Sequence, residues 1–148
     1  MKRILIVLLA VMGVSTITYA QGEKSLKAAS KSLSAFTSDF SNTAALEDAK
    51  LKIEEAFQDD KVASSAKSWN TRGDILRSIA DAQIKQKLIN PAFVITDVSS
   101  AVGAAESYLK AHSMAEKKGD KKNALKGLVA IEDVLACLLY TSPSPRDS

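Results

Sequence analysis

The stretch that decides the fold is residues 66–76, which read A-K-S-W-N-T-R-G-D-I-L. Trp69, Gly73 and Leu76 follow one another at intervals of four and three residues, and this spacing places them on one face of a helix. A large ring beside a glycine leaves room for a second helix to approach closely. The stretch therefore predicts a helix that packs tightly against other helices.

Apolar residues recur at three- and four-residue intervals outward from this stretch, and they predict five amphipathic helices. Aromatic residues make up only 5% of the chain, a composition that favours helices with small interdigitating side chains over strands. We therefore expect an all-α fold of antiparallel helix pairs joined by short turns. The inward-facing sets, in chain order, are Leu26, Ala29, Leu33 and Phe36; Leu46, Ala49, Ile53, Ala56 and Phe57; Ala66, Trp69, Gly73, Leu76 and Ala80; Ala101, Ala104, Ala105, Tyr108, Ala111 and Ala115; and Ala124, Leu125, Leu128, Ile131 and Leu135.

Several helix ends carry recognisable capping residues. Asn42 or Thr43 can cap the second helix, and Asp97 can cap the fourth. Gly119 is expected to end the fourth helix because glycine is favoured just past a helix end. Asp120 follows directly and is expected to cap the fifth helix.

The third helix is predicted to be the longest, from roughly residue 62 to 88. The pair Asn90-Pro91 ends it, since the residue before a proline disfavours the helical region. Residues 92–96 then read A-F-V-I-T, which alone would suggest a short strand. With no second strand to pair with it, we expect an extended apolar loop packed across the helices.

The amino terminus has the pattern of a secretory signal peptide over residues 1–20. A basic pair at residues 2–3 precedes an unbroken apolar run at 4–12, and T-Y-A at residues 18–20 resembles a cleavage site before Gln21. The apolar run is too short for an ordinary membrane-spanning helix. We expect export and removal of this segment; the alternative is an uncleaved anchor or an interfacial helix.

The carboxyl terminus, residues 136–148, differs from the rest of the chain. From Cys137 it reads C-L-L-Y-T-S-P-S-P-R-D-S, in which Pro143 and Pro145 are incompatible with a helix. The string resembles translated adapter or vector sequence, and a genuine disordered tail is the alternative. On the first interpretation the helical domain occupies residues 21–135, is truncated there, and leaves its last helix with an uncovered face.

The charge of the chain argues against a nucleic-acid partner. It has 20 basic and 17 acidic residues, a formal net charge of +3. Without Lys2 and Arg3, which lie in the predicted signal peptide, 18 basic residues face 17 acidic ones. A nearly neutral chain attracts nucleic acid or anionic lipid only weakly. After signal removal we expect no stable membrane span.

The third predicted helix resembles the first helix of a tetratricopeptide repeat, W-x2-L-G-x2-Y. Trp69 and Gly73 match this pattern, while Arg72 stands where leucine is usual and Leu76 where tyrosine is usual. The chain is similar to exported tetratricopeptide-repeat proteins of Bacteroidetes-type bacteria. The resemblance implies helix pairs stacked as a short, degenerate array.

The second-helix pattern of the family, A-x3-F/Y-x2-A, is met by Ala104, Tyr108 and Ala111. Residues 83–97 form an insertion between the two halves of this repeat. A weaker repeat would precede it and a further first helix would follow it. Stacked repeats share one continuous core, which a single helix pair cannot form alone.

The resemblance also implies where a ligand would bind. Ligands of this family usually lie along a groove formed by first helices, and on the third helix the groove-facing positions would be the polar stripe Lys67, Asn70, Asp74 and Arg77. Lys67, Asn70 and Arg77 would together hold a peptide carboxylate or backbone, with arginine acting as a bidentate fork. The alternative is an ordinary solvated helix face with an Asp74–Arg77 ion pair of little energetic value.

We find no pattern for catalysis, a cofactor or a metal ion. His112 is the only histidine and has Glu116 one turn later, but two ligands on one helix do not make a metal site. Gly103 and Gly127 are isolated glycines inside predicted helices, which indicates close packing rather than a phosphate loop. Paired carboxylates such as Glu54 and Glu55 point to different helix faces.

We therefore expect a non-enzymatic interaction scaffold in the periplasm or at the cell envelope of a Gram-negative bacterium, binding a protein or peptide partner. One alternative is the N-terminal helical part of a larger exported enzyme or transport assembly whose functional domain is missing. Another is a helical bundle with a structural role only, which predicts that charge reversal along the polar stripe is tolerated.

Overall fold

The computed structural model describes residues 21–141, and over that range it is all-α, with six helices and no strand. The predicted all-α class is confirmed. The predicted signal peptide and residues 142–148 of the predicted tail lie outside the described residues. The helices are α1 (21–38), α2 (Thr43–Ala56), α3 (Asp60–Ala63), α4 (Ala66–Ile89), α5 (Ser99–Met114) and α6 (Lys118–Thr141).

The chain divides into two compact units, one ending at Ser64 and the other beginning at Ser65. In the first unit, α2 begins where its cap was predicted, because Asn42 Oδ1 accepts the backbone N–H of Ala45 at 3.1 Å. Ser32 on α1 donates to Asp48 on α2 at 2.6 Å. Four of the five residues predicted to face inward on α2 are buried, Leu46, Ala49, Ile53 and Ala56, whereas Phe57 is half-buried at the C-cap.

The prediction that the third helix begins near residue 62 is wrong. The single turn α3 comes first, and Asp59 caps it by accepting the backbone N–H of Lys61 at 2.9 Å. Helix α4 begins only at Ala66. A carboxylate that satisfies the first turn locally starts a new helix, a signal that the apolar spacing of the segment does not contain.

In the second unit α4, α5 and α6 each contact the other two, and Tyr108 of α5 lies at their meeting point. Its side chain is only 1% exposed. A Cβ atom added to Gly73 on α4 would lie 2.6 Å from Cε1 of the ring, and one added to Gly127 on α6 would lie closer still. The absence of a side chain at both positions therefore makes the space that the ring fills.

The predicted junction between the fourth and fifth helices is wrong. Helix α5 ends at Met114 rather than Gly119, and α6 begins at Lys118, so that Gly119 and Asp120 lie in its first turn. Leu125 was expected inside but is 51% exposed. The buried stripe of α6 runs instead along Ala124, Gly127, Ile131, Val134 and Leu138.

Helix α6 also passes the boundary predicted at Leu135 and continues to Thr141. Leu138, within the predicted tail, is 6% exposed and completes the buried stripe. Leucine at this position keeps the three- and four-residue spacing of the stripe. Leu125 and Val129 are exposed on the same helix.

The segment between α4 and α5 is an extended loop, as predicted, and Gln83 of α4 holds its end. Gln83 Oε1 accepts the backbone N–H groups of Thr96 at 2.8 Å and Asp97 at 3.1 Å. Asp97 was predicted to cap this helix, but the N-cap position is held by Val98, one residue later. The carboxylate of Asp97 still accepts the backbone N–H of Ser100 in the first turn, at 3.0 Å. Val94 does not pack against the helices as expected, since it is 71% exposed.

We predict that Gly73→Ala destabilises the chain and Gly119→Ala does not. The new methyl group at residue 73 overlaps the Tyr108 ring, and overpacking of this kind costs about 1–3 kcal/mol. A Cβ at residue 119 meets nothing within 4 Å, and alanine there gains up to about 1 kcal/mol of helix propensity. Urea unfolding followed by Trp69 fluorescence measures both. Equal stability of the two variants would contradict the packing described.

Candidate functional site

A cavity of about 210 Å³ lies between the first turns of α4 and of α6. Three of the four residues of the predicted polar stripe line it, and Arg77 is not among the lining residues. Thr71 of α4 and two residues of α6 complete the lining, because α6 begins close to α4. The lining residues are Lys67, Asn70, Thr71, Asp74, Asp120 and Asn123.

Asn70 carries an unsatisfied hydrogen-bond acceptor at this cavity. The residue is only 7% exposed, so it is not the solvated groove position expected from the sequence. Its Nδ2 donates to the backbone carbonyl oxygen of Asp120 at 3.1 Å, and since a carbonyl can only accept, this bond fixes the orientation of the amide. Oδ1 is buried without a hydrogen-bond partner. Such a group costs about 1–3 kcal/mol in a folded protein.

Asp74 links the cavity to the core of the unit. Its Oδ1 accepts the hydroxyl of Tyr108 at 2.8 Å. Burial raises the pKa of Asp74, and the Tyr108 hydrogen bond and the charge of Arg77 oppose that rise without cancelling it. The negative charge of this carboxylate is therefore less well stabilised at the cavity than that of an aspartate in water.

The structure places Arg77 in a different role from the predicted peptide fork. Its Nε donates to the hydroxyl oxygen of Tyr108 at 3.3 Å, and its Nη1 pairs with Asp81 Oδ2 at 3.1 Å. The ion pair of the alternative interpretation was with Asp74, whereas the partner found is Asp81, one turn further along α4. Arg77 thus links α4 to the hydroxyl group of Tyr108 on α5.

The residues of the family motif form the interior of the second unit with one exception. The buried members are Gly73, Leu76, Ala104, Tyr108 and Ala111. Trp69 was expected inside but is half-buried.

Arg72 contacts the half-buried tryptophan ring. The guanidinium of Arg72 lies 5.7 Å from the ring centroid of Trp69, within the range of a cation–π contact. Arg72 Nη1 also donates to Ser107 Oγ on α5 at 2.9 Å. An arginine where the family has leucine therefore joins α4 to α5 by a polar contact.

Sequence reasoning missed the contribution of α6 to the cavity. Asp120 was interpreted only as a helix cap, and Asn123 was not singled out. The two residues are three apart, which places them on one helix face, and this was the available signal. The spacing alone does not show that this face lies beside α4, which is determined by the packing of the two helices.

The described residues contain no group of three His, Cys, Asp or Glu side chains placed to hold a metal ion. His112 is half-buried on α5, and Glu116 lies beyond the end of that helix. Between residues 21 and 141, no helix has both the length and the apolar character needed to cross a membrane.

No family model matches the chain, and neither curated proteins nor solved structures gave a match.

We predict that Tyr108 stays protonated in the folded protein well into the alkaline range. Burial raises its pKa above the ordinary value of 10.0, and the charge of Asp74 adds to the rise. A raised pKa means that the folded state binds the proton more tightly, so this stabilisation is complete below the ordinary tyrosine pKa and is lost as the pH rises above it. The variant Tyr19→Phe/Tyr140→Phe leaves Tyr108 as the only tyrosine.

In that variant, tyrosinate absorbance is expected to rise only together with the loss of helical circular dichroism. Ionisation near the ordinary tyrosine pKa with the helices intact would contradict the buried position of the ring.

Proposed function

We propose that this chain is an exported scaffold of the tetratricopeptide-repeat type, which binds a protein or peptide partner at the cavity between α4 and α6. The observation that carries the proposal is the unsatisfied Oδ1 of Asn70 beside a polar cavity. Because an unpaired buried acceptor costs stability, a partner that supplies a hydrogen-bond donor recovers that free energy on binding.

The repeat assignment rests on motif residues that pack together. We infer that α4 and α5 are the two helices of one repeat and that α6 is the first helix of the next. The motif residues Gly73, Ala104 and Tyr108 are all on contacting helices of the second unit, and α6 packs on both other helices. The cavity then lies between two first helices, where the resemblance places the ligand groove.

The chemistry of the lining favours binding over catalysis. The Thr71 hydroxyl donates to the backbone carbonyl of Lys67 at 3.1 Å, within its own helix. The other lining groups are amides, carboxylates and an ammonium group, which suit a peptide backbone and its side chains. Export rests on the signal-peptide pattern at residues 1–20, and amino-terminal sequencing of protein from a bacterial envelope tests it.

We predict that peptides selected on this chain bind through the cavity. A displayed random-peptide library is enriched for binding to the full chain. The dissociation constants of the selected peptides are then measured for the parent chain and for the variant Lys67→Glu/Asp120→Lys. Reversing two of the three charges of the lining is expected to weaken binding by about ten-fold or more. The matched control Lys110→Glu/Asp133→Lys makes the same exchange at exposed positions of α5 and α6 that do not line the cavity.

Circular dichroism and urea unfolding confirm that both variants are folded. Loss of binding in the cavity variant alone supports the proposal. Equal binding of both variants, or the absence of any selectable peptide, contradicts it and favours the purely structural role.

A further inference from the structure

The cavity between α4 and α6 is richer in acceptors than in donors. Asp74 and Asp120 contribute two carboxylates, and Lys67 is the cation among the six lining residues. The lining therefore carries a formal excess of one negative charge. Lys67 is exposed and lies at the rim, where a flexible ammonium group can remain in water.

The guanidinium that would have neutralised this excess negative charge, that of Arg77, is engaged elsewhere. Arg77 donates to Tyr108 and pairs with Asp81, so its fork is not presented to the cavity. The resemblance implied a carboxylate ligand held in part by this arginine. With Arg77 engaged, an anionic ligand would meet two carboxylates and one lysine, and like charges at close range are unfavourable.

The unsatisfied amide oxygen points to the same kind of ligand. Asn70 is more than nine-tenths buried. Its Nδ2 donates to the backbone carbonyl of Asp120, and its Oδ1 has no hydrogen-bond partner. An occupant that satisfies Oδ1 must bring a donor, and a carboxylate brings none. The pKa of Asp74 is raised because burial outweighs its neighbours, so a bound cation would relieve that cost.

From the lining charges and the unpaired amide oxygen together, we propose that the cavity binds a basic side chain, the guanidinium or ammonium group of a partner's arginine or lysine. Such a group carries several N–H donors and a positive charge. It would donate to Asn70 Oδ1 while pairing with Asp74 and Asp120. This inference rests on the proposed function and names the class of peptide that the scaffold takes.

The test measures small probes that carry only the side chain in question. N-acetyl-arginine methylamide and N-acetyl-glutamate methylamide are titrated into the isotope-labelled full chain, and proton–nitrogen NMR follows the side-chain amide signals of Asn70 and Asn123. The arginine probe is expected to shift both signals, with an affinity that falls as salt is added. The glutamate probe is expected to leave them unchanged.

Two conservative variants give opposite expected signs. Asp120→Asn is expected to weaken arginine-probe binding by at least about three-fold, and Lys67→Gln is expected to strengthen it by removing a like charge. The matched controls Asp133→Asn and Lys110→Gln make the same changes outside the lining and are expected to have no effect.

The proposal is overturned if the glutamate probe binds and depends on Lys67, or if neither probe shifts the Asn70 signal. In either case, peptides selected by display that still depend on the cavity would leave the scaffold function standing. The failure of this inference is therefore distinguishable from the failure of the proposed function.

Discussion

The second unit depends on one contact, the insertion of the Tyr108 ring between two glycines on different helices. Gly73 and Gly127 leave space that any side chain would fill, and the ring fills it while 1% exposed. Close packing of this kind is sensitive to a single methyl group. Because the ring contacts α4 and α6 at once, it fixes the distance between these two helices as well as their distance from α5.

The cavity follows from that arrangement. At the end of the ring, the hydroxyl donates to Asp74 and accepts from Arg77. Of these two charged residues, Asp74 lines the cavity and Arg77 does not. Once α6 is held beside α4, Asn70 donates to the backbone of Asp120 and its amide oxygen is left without a partner. The site is thus a consequence of helix packing. Its excess of negative charge arises because Arg77 binds Tyr108 and Asp81 and does not line the cavity.

The sequence was sufficient for the helical class and for most of the core, because apolar spacing reports directly on which helix face is buried. It failed where local and long-range contacts compete. Gly119 was predicted to end a helix, yet it lies inside α6. Leu125 was predicted to be buried, yet the buried face of α6 contains its neighbour Ala124 instead. The polar stripe was predicted, but the different environments of its residues were not. Contacts with other helices bind Arg77 to Tyr108 and bury Asn70. No residue pattern in one helix contains that information.

The measurement that tests this account most directly is a double-mutant cycle between residues 127 and 108. The free energy of unfolding is determined for the parent chain, Gly127→Ala, Tyr108→Ala and the combined variant. If the ring fills the space above Gly127, alanine there costs about 1–3 kcal/mol beside tyrosine and little or nothing once the ring is removed. An equal cost of Gly127→Ala in both backgrounds would show that the two residues do not interact, and would contradict the account.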